Sequence, residues 1–93
     1  MSIQAACSAD LEIRNKRGLH ARASARFVET AAQYDAEIKV AKDGQEVIGT
    51  SIMGLMLLAA SKGDTVQVKA TGPQAQAALD ALRTLVAARF DEE

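Results

Sequence analysis

The chain's one histidine, His20, stands in the run Arg17-Gly18-Leu19-His20-Ala21-Arg22-Ala23-Ser24, with an arginine two residues beyond it. Between Glu12 and Glu29 there are no acidic residues and five basic ones, Arg14, Lys16, Arg17, Arg22 and Arg26, in a chain of formal net charge −1. Positive charge concentrated in this way predicts an anion site. A neutral ring nitrogen is what a nucleophile requires, and positive neighbours disfavour adding a second positive charge to the imidazole. One nitrogen of His20 could therefore attack a phosphoryl donor.

The flanking elements are expected to place that ring. Residues 8–15 alternate Ala9, Leu11 and Ile13 against Asp10, Glu12 and Arg14, the period of a half-buried strand. From Ala21 to about Gln33, Ala23, Phe27, Val28 and Ala31 fall at helical spacings, with Arg22, Arg26 and Glu29 left for solvent. His20 then lies where the first helix begins, after the turn at Gly18. The backbone N–H groups of Ala21, Arg22 and Ala23, which lack helical acceptors, point toward the imidazole together with the positive end of the helix dipole. A phosphate there meets donors already held in position, and the Arg22 guanidinium can engage its oxygens. On the residues alone, a structural role for His20 stays open, since no Asp, Glu, Ser or Cys can be assigned beside it for triad chemistry.

Composition bounds the alternatives. Ninety-three residues, 48% hydrophobic and 25% charged, make one domain over residues 1–93, with one core built from aliphatic side chains. A net charge near zero and the scarcity of stacking aromatics argue against a nucleic-acid partner. One histidine and one cysteine, Cys7, assemble neither a zinc site nor an internal disulfide, and point to a reducing compartment. No segment reaches the roughly 20 apolar residues of a membrane span, and the first residues do not read as a secretory signal, so a cytoplasmic location is expected.

Residues 36–42 alternate through Ala36, Ile38 and Val40, and Asp43-Gly44 then signals a hairpin into residues 45–49. Thr50-Ser51 can cap a short apolar helix over residues 52–60 that ends near Lys62-Gly63. Val66, Val68 and Ala70 mark a further strand. Pro73 can open the last helix, whose stripe runs through Ala75, Leu79, Leu82, Leu85, Val86 and Phe90. The order is βαββαβα, an α+β chain with a four-stranded antiparallel sheet covered on one face by three helices in a two-layer sandwich. The acidic Asp91 to Glu93 are expected to form a solvated tail.

The run from Asn15 to Ala32 resembles the active-site segment of the HPr family, the histidine phosphocarriers of the bacterial phosphotransferase system. Residues 49–68, GTSIMGLMLLAASKGDTVQV, resemble that family's second motif, and the likeness runs from about Asp10 to Val86. It implies an HPr-like open-faced sandwich without a bound cofactor. It also implies that His20 accepts a phosphoryl group on Nδ1 from enzyme I, charged by phosphoenolpyruvate, and passes it to an enzyme IIA, with Arg22 stabilising the phosphate. The family usually carries proline after that arginine. Here Ala23 stands instead and returns an N–H donor near the anion site while losing preorganisation. The stretch from Ser51 to Gly63 looks like the nitrogen-related branch, NPr. The monomer is the expected state.

The apolar helix is too hydrophobic to bury all of its side chains on one face. Ile52, Met53 and Met56 are expected to stay accessible and adaptable. By similarity to the family they dock enzyme I and enzyme IIA. Ser51 reads as an N-cap, and the resemblance adds that it is a target of an HPr kinase/phosphorylase. A pure interaction module, docking through this helix with His20 idle, is the competing reading from a different class.

Overall fold

The computed structural model describes residues 6–92. In chain order it holds β1 (Ala6–Glu12), α1 (Ala21–Ala31), β2 (Glu37–Lys42), β3 (Gln45–Ile48), α2 (Ile52–Leu57), β4 (Thr65–Thr71) and α3 (Ala75–Ala87), with a closing 3-10 turn over Arg89–Asp91. This is the expected βαββαβα order. The four strands form one sheet in the order β1-β4-β2-β3, antiparallel at every pairing.

Alternation decides which face of the sheet is dry. Leu11 pairs with Val66, Ile38 with Ala70 and Val40 with Val68, and all six side chains are buried. The intervening Glu12, Thr65, Gln67 and Lys69 are exposed on the other face. Phe27 of α1 and Leu79, Leu82 and Val86 of α3 complete the same core. α3 lies over β1 and β4, and α1 packs against both α2 and α3. Each large apolar side chain so buried stabilises the fold by roughly 1.5–3 kcal/mol. Among the described residues no helix is long and apolar enough to cross a membrane.

The hairpin forms where Asp43-Gly44 placed it, with φ of 51° and 81° at the two residues, the pair of positive angles that a type I′ turn demands. Three boundaries differ from the sequence reading. The first ladder stops at Glu12, and Ile13 instead bonds Asp64 O at 2.8 Å and accepts from Gly63 N at 2.7 Å. The apolar helix ends at Leu57 because Ala59 turns to φ 52°, while Leu58 and Ala60 are buried beyond it.

The last helix opens at Ala75, two residues after Pro73, and ends at Ala87 rather than running to Phe90. Arg89, Phe90 and Asp91 all have φ between 54° and 59°, so the chain reverses there and still inserts the Phe90 ring into the core. That reversal also overturns the expectation of a solvated tail for Glu92, whereas Asp91 remains exposed. Asp91 bonds Arg26 at 2.9 Å, and Glu92 is drawn into the site described below. Glu93 lies outside the described residues.

Candidate functional site

Between β1 and α1 the chain makes a tight turn closed on itself. Gly18 donates its N–H to Asn15 O at 3.2 Å, and Asn15 Nδ2 donates back to Gly18 O at 2.8 Å. Gly18 has φ 63°, and a Cβ there would overlap the carbonyl oxygen of Ala60. Only glycine satisfies both conditions. Leu19 then donates to that same Ala60 oxygen at 2.9 Å, and the buried Ser24 hydroxyl donates to Leu19 O at 3.1 Å. The residue before His20 is thus held from both sides.

His20 is the N-cap of α1, with φ −73° and ψ −179°. Ser24 N bonds its carbonyl at 2.9 Å as the first helical hydrogen bond. N-cap positions favour Ser, Thr, Asp or Asn because their oxygens satisfy the helix's first donors. The His20 side chain makes no such bond. The N–H groups of Ala21, Arg22 and Ala23, in the first turn, have no acceptor within the helix. Arg22 is exposed, whereas Ala23 is wholly buried, backbone included.

An open groove of about 500 Å³ adjoins this turn. It is lined by Lys16, Arg17, Arg22 and Arg26 and by Phe90, Asp91 and Glu92. Four of the five basic residues read in the sequence thus share one groove, whereas Arg14 lies 3.8 Å from Glu12 and lines a separate one. The shared groove also holds acids that no local pattern disclosed: Glu92 Oε1 accepts from Asn15 Nδ2 at 2.8 Å, and Glu92 Oε2 is hydrogen-bonded to His20 Nε2. Burial works against charge on Glu92, but hydrogen bonds from Asn15 and His20 and the nearby charges of His20 and Arg17 outweigh it. The carboxyl is held below its ordinary value. Positive charge is thus not the ring's whole environment, and the expectation that no acid stands beside His20 is corrected.

Comparison with known proteins gives the family. The family model for the PTS HPr component phosphorylation site matches residues 7–88. The chain belongs to the HPr family. Phosphocarrier protein HPr from Cupriavidus necator is 47% identical over 83 residues, 89% of this chain and 93% of that one. Phosphocarrier protein NPr from Escherichia coli K12 is 39% identical over 84 residues, again 89% and 93%. The crystal structure of HPr-C-His from Thermoanaerobacter tengcongensis superposes with a TM-score of 0.90 at 42% identity, covering 94% of this chain and 98% of its own. An HPr-family protein is a phosphocarrier and not an enzyme: it carries the group that other proteins transfer.

The second motif of this HPr-family chain lies beside the histidine loop. Ser51 caps α2, its Oγ accepting from Gly54 N at 2.9 Å. The Leu19–Ala60 bond ties the His20 turn to the chain leaving that helix. Leu55 is buried, whereas Ile52, Met53 and Met56 are 39%, 72% and 43% exposed. Leu57, 65% exposed, extends this apolar surface, and the sequence reading did not assign it there, whereas the exposed Ile48 pairs with Lys39 on the other face of the sheet. Asn15, Ser24 and Glu92 were likewise missed. Two of them act through main-chain bonds, and the third lies more than seventy residues away in sequence.

Proposed function

We propose that this phosphocarrier relays its phosphoryl group through Nδ1 of His20, from phosphorylated enzyme I to an enzyme IIA. The observation that carries the reading is a histidine at a helix N-cap whose ring leaves the helix donors uncapped beside Arg17 and Arg22. As the bond between phosphorus and its carrier on enzyme I breaks, leaving the electron pair with enzyme I, the Nδ1 lone pair forms the new bond. The same exchange then runs onward to the acceptor. The Arg22 guanidinium and the N–H groups of Ala21 and Arg22 stabilise the added charge. Among the described residues His20's hydrogen-bond partner is Glu92, which sits on Nε2, and this supports Nδ1 as the accepting nitrogen.

Ile52, Met53, Met56 and Leu57 form the docking face shared by the two partner proteins, since adaptable apolar side chains suit more than one surface. Phosphorylation of Ser51 by an HPr kinase/phosphorylase would place a dianion within that face. A helix start tolerates such a charge, so docking weakens while the fold persists.

Intact mass measured after incubation with enzyme I, magnesium and phosphoenolpyruvate tests the relay. One acid-labile phosphoryl group that disappears in His20→Ala is expected. A folded protein left unmodified by active enzyme I, or an adduct persisting in His20→Ala, overturns it.

A further inference from the structure

We infer that Glu92 is a positioning residue for His20, set from the protein interior by Asn15 so that the imidazole keeps its proton on Nε2 and presents the lone pair of Nδ1. This rests on the reading of Nδ1 as the accepting atom.

The orientation begins with Asn15, whose side chain is wholly buried. Its Nδ2 donates both to Gly18 O and to Glu92 Oε1, each at 2.8 Å. Because a main-chain carbonyl takes one of those protons, Asn15 cannot reverse its amide without losing that bond. A donor is therefore fixed toward Glu92, which must answer with an acceptor. Its second oxygen, Oε2, meets His20 Nε2. A carboxylate only accepts, so this contact requires a proton on Nε2. The neutral ring then has its lone pair on Nδ1.

One further bond and one core anchor keep the carboxylate in place. Asp91, the residue before it, is bound to Arg26 at 2.9 Å, and Phe90 is anchored in the core. The Glu92 and His20 side chains are 14% and 18% exposed, so water competes weakly for the contact while phosphate can still reach the ring. The logic is that of a carboxylate orienting a catalytic imidazole and fixing its tautomer. When Nδ1 takes up a phosphoryl group, the ring gains positive charge, and Glu92 lies opposite to offset it.

Two substitutions separate positioning from mere shape. In Glu92→Gln, Asn15 selects the amide oxygen, so the amide N–H₂ faces Nε2 and donates to it, which moves the ring proton to Nδ1. In Glu92→Ala the ring is only released. Phosphorylation rates with enzyme I and phosphoenolpyruvate are measured for both variants, and imidazole nitrogen NMR reports which atom carries the proton.

The expected order is wild type fastest, Glu92→Ala slower by about tenfold, and Glu92→Gln slower again by at least about tenfold. The proton is expected on Nε2 in the wild type and on Nδ1 in Glu92→Gln. Wild-type or faster transfer in either variant, or a wild-type proton on Nδ1, overturns the inference. Phosphorylation of His20→Ala would instead overturn the phosphocarrier site itself, so the two failures are distinguishable.

Discussion

Leu19 donates its backbone N–H to the carbonyl oxygen of Ala60 at 2.9 Å, and that bond ties the turn carrying His20 to the chain leaving α2. The proposed nucleophile and the proposed docking face are thereby joined through the backbone. The bond is possible because Gly18 lets the backbone pass close to Ala60, where a Cβ would overlap the oxygen.

Gly18→Ala must therefore adopt φ 63° with a side chain and displace the Ala60 carbonyl. The expected loss of stability is roughly 2–5 kcal/mol, from left-handed strain and overpacking together. Urea denaturation measures it. A variant within 0.5 kcal/mol of wild type, taken as about the surface-substitution range, would show that the turn does not need glycine.

Ser51 separates a structural from a regulatory contribution. Ser51→Ala removes the Oγ bond to Gly54 N and is expected to cost about 1 kcal/mol. Ser51→Asp keeps a competent cap and stays close to wild-type stability. It is expected to slow transfer to His20, because it sets a charge in the proposed docking face. Thermal melts and transfer rates on the two variants check the pair.

Met53, 72% exposed, makes no contribution to the core that a charge would disturb. Met53→Glu is expected to remain within about 0.5 kcal/mol of wild-type stability. Its apparent KM as a substrate of enzyme I rises by about tenfold, equivalent to the loss of one substantial interface contact. Transfer at saturating concentration changes little. Leu57→Glu behaves in the same way if the face extends as far as its exposure indicates.

Glu92 also shapes stability against pH. Its folded carboxyl is held below the ordinary value of 4.5, so the charged form adds stability above that pH and the contribution is lost as pH falls through the lower folded value. Wild type therefore weakens more steeply than Glu92→Gln on acidification below pH 4.5. Denaturation midpoints along that limb check it. Parallel curves would mean that the carboxylate gains nothing from Asn15, His20 and Arg17.

What the sequence disclosed follows the range of its local signals. The His20 cap was legible because a period-two strand, Gly18 and a helical apolar repeat adjoin within some twenty residues. The hairpin was legible because Asp43-Gly44 encodes its own turn. Phe90 completed a helical stripe yet lies beyond the helix, since a spacing pattern cannot register a reversal through three residues of positive φ. That reversal carries Glu92 to Asn15 and His20, and no local pattern links residues so far apart in sequence. Leu57 escaped for a different reason. In a helix apolar on every side, periodicity does not mark which residues face out.

In the proposed relay phosphorus binds Nδ1 of His20 while Nε2 remains with Glu92. Phosphorus-to-nitrogen coupling, measured by NMR on isotopically labelled protein charged with enzyme I and phosphoenolpyruvate, tests it most directly. Coupling to Nδ1 and a proton retained on Nε2 are expected. Coupling to Nε2, which would require Glu92 to be displaced, or phosphorus on any residue other than His20, would contradict it.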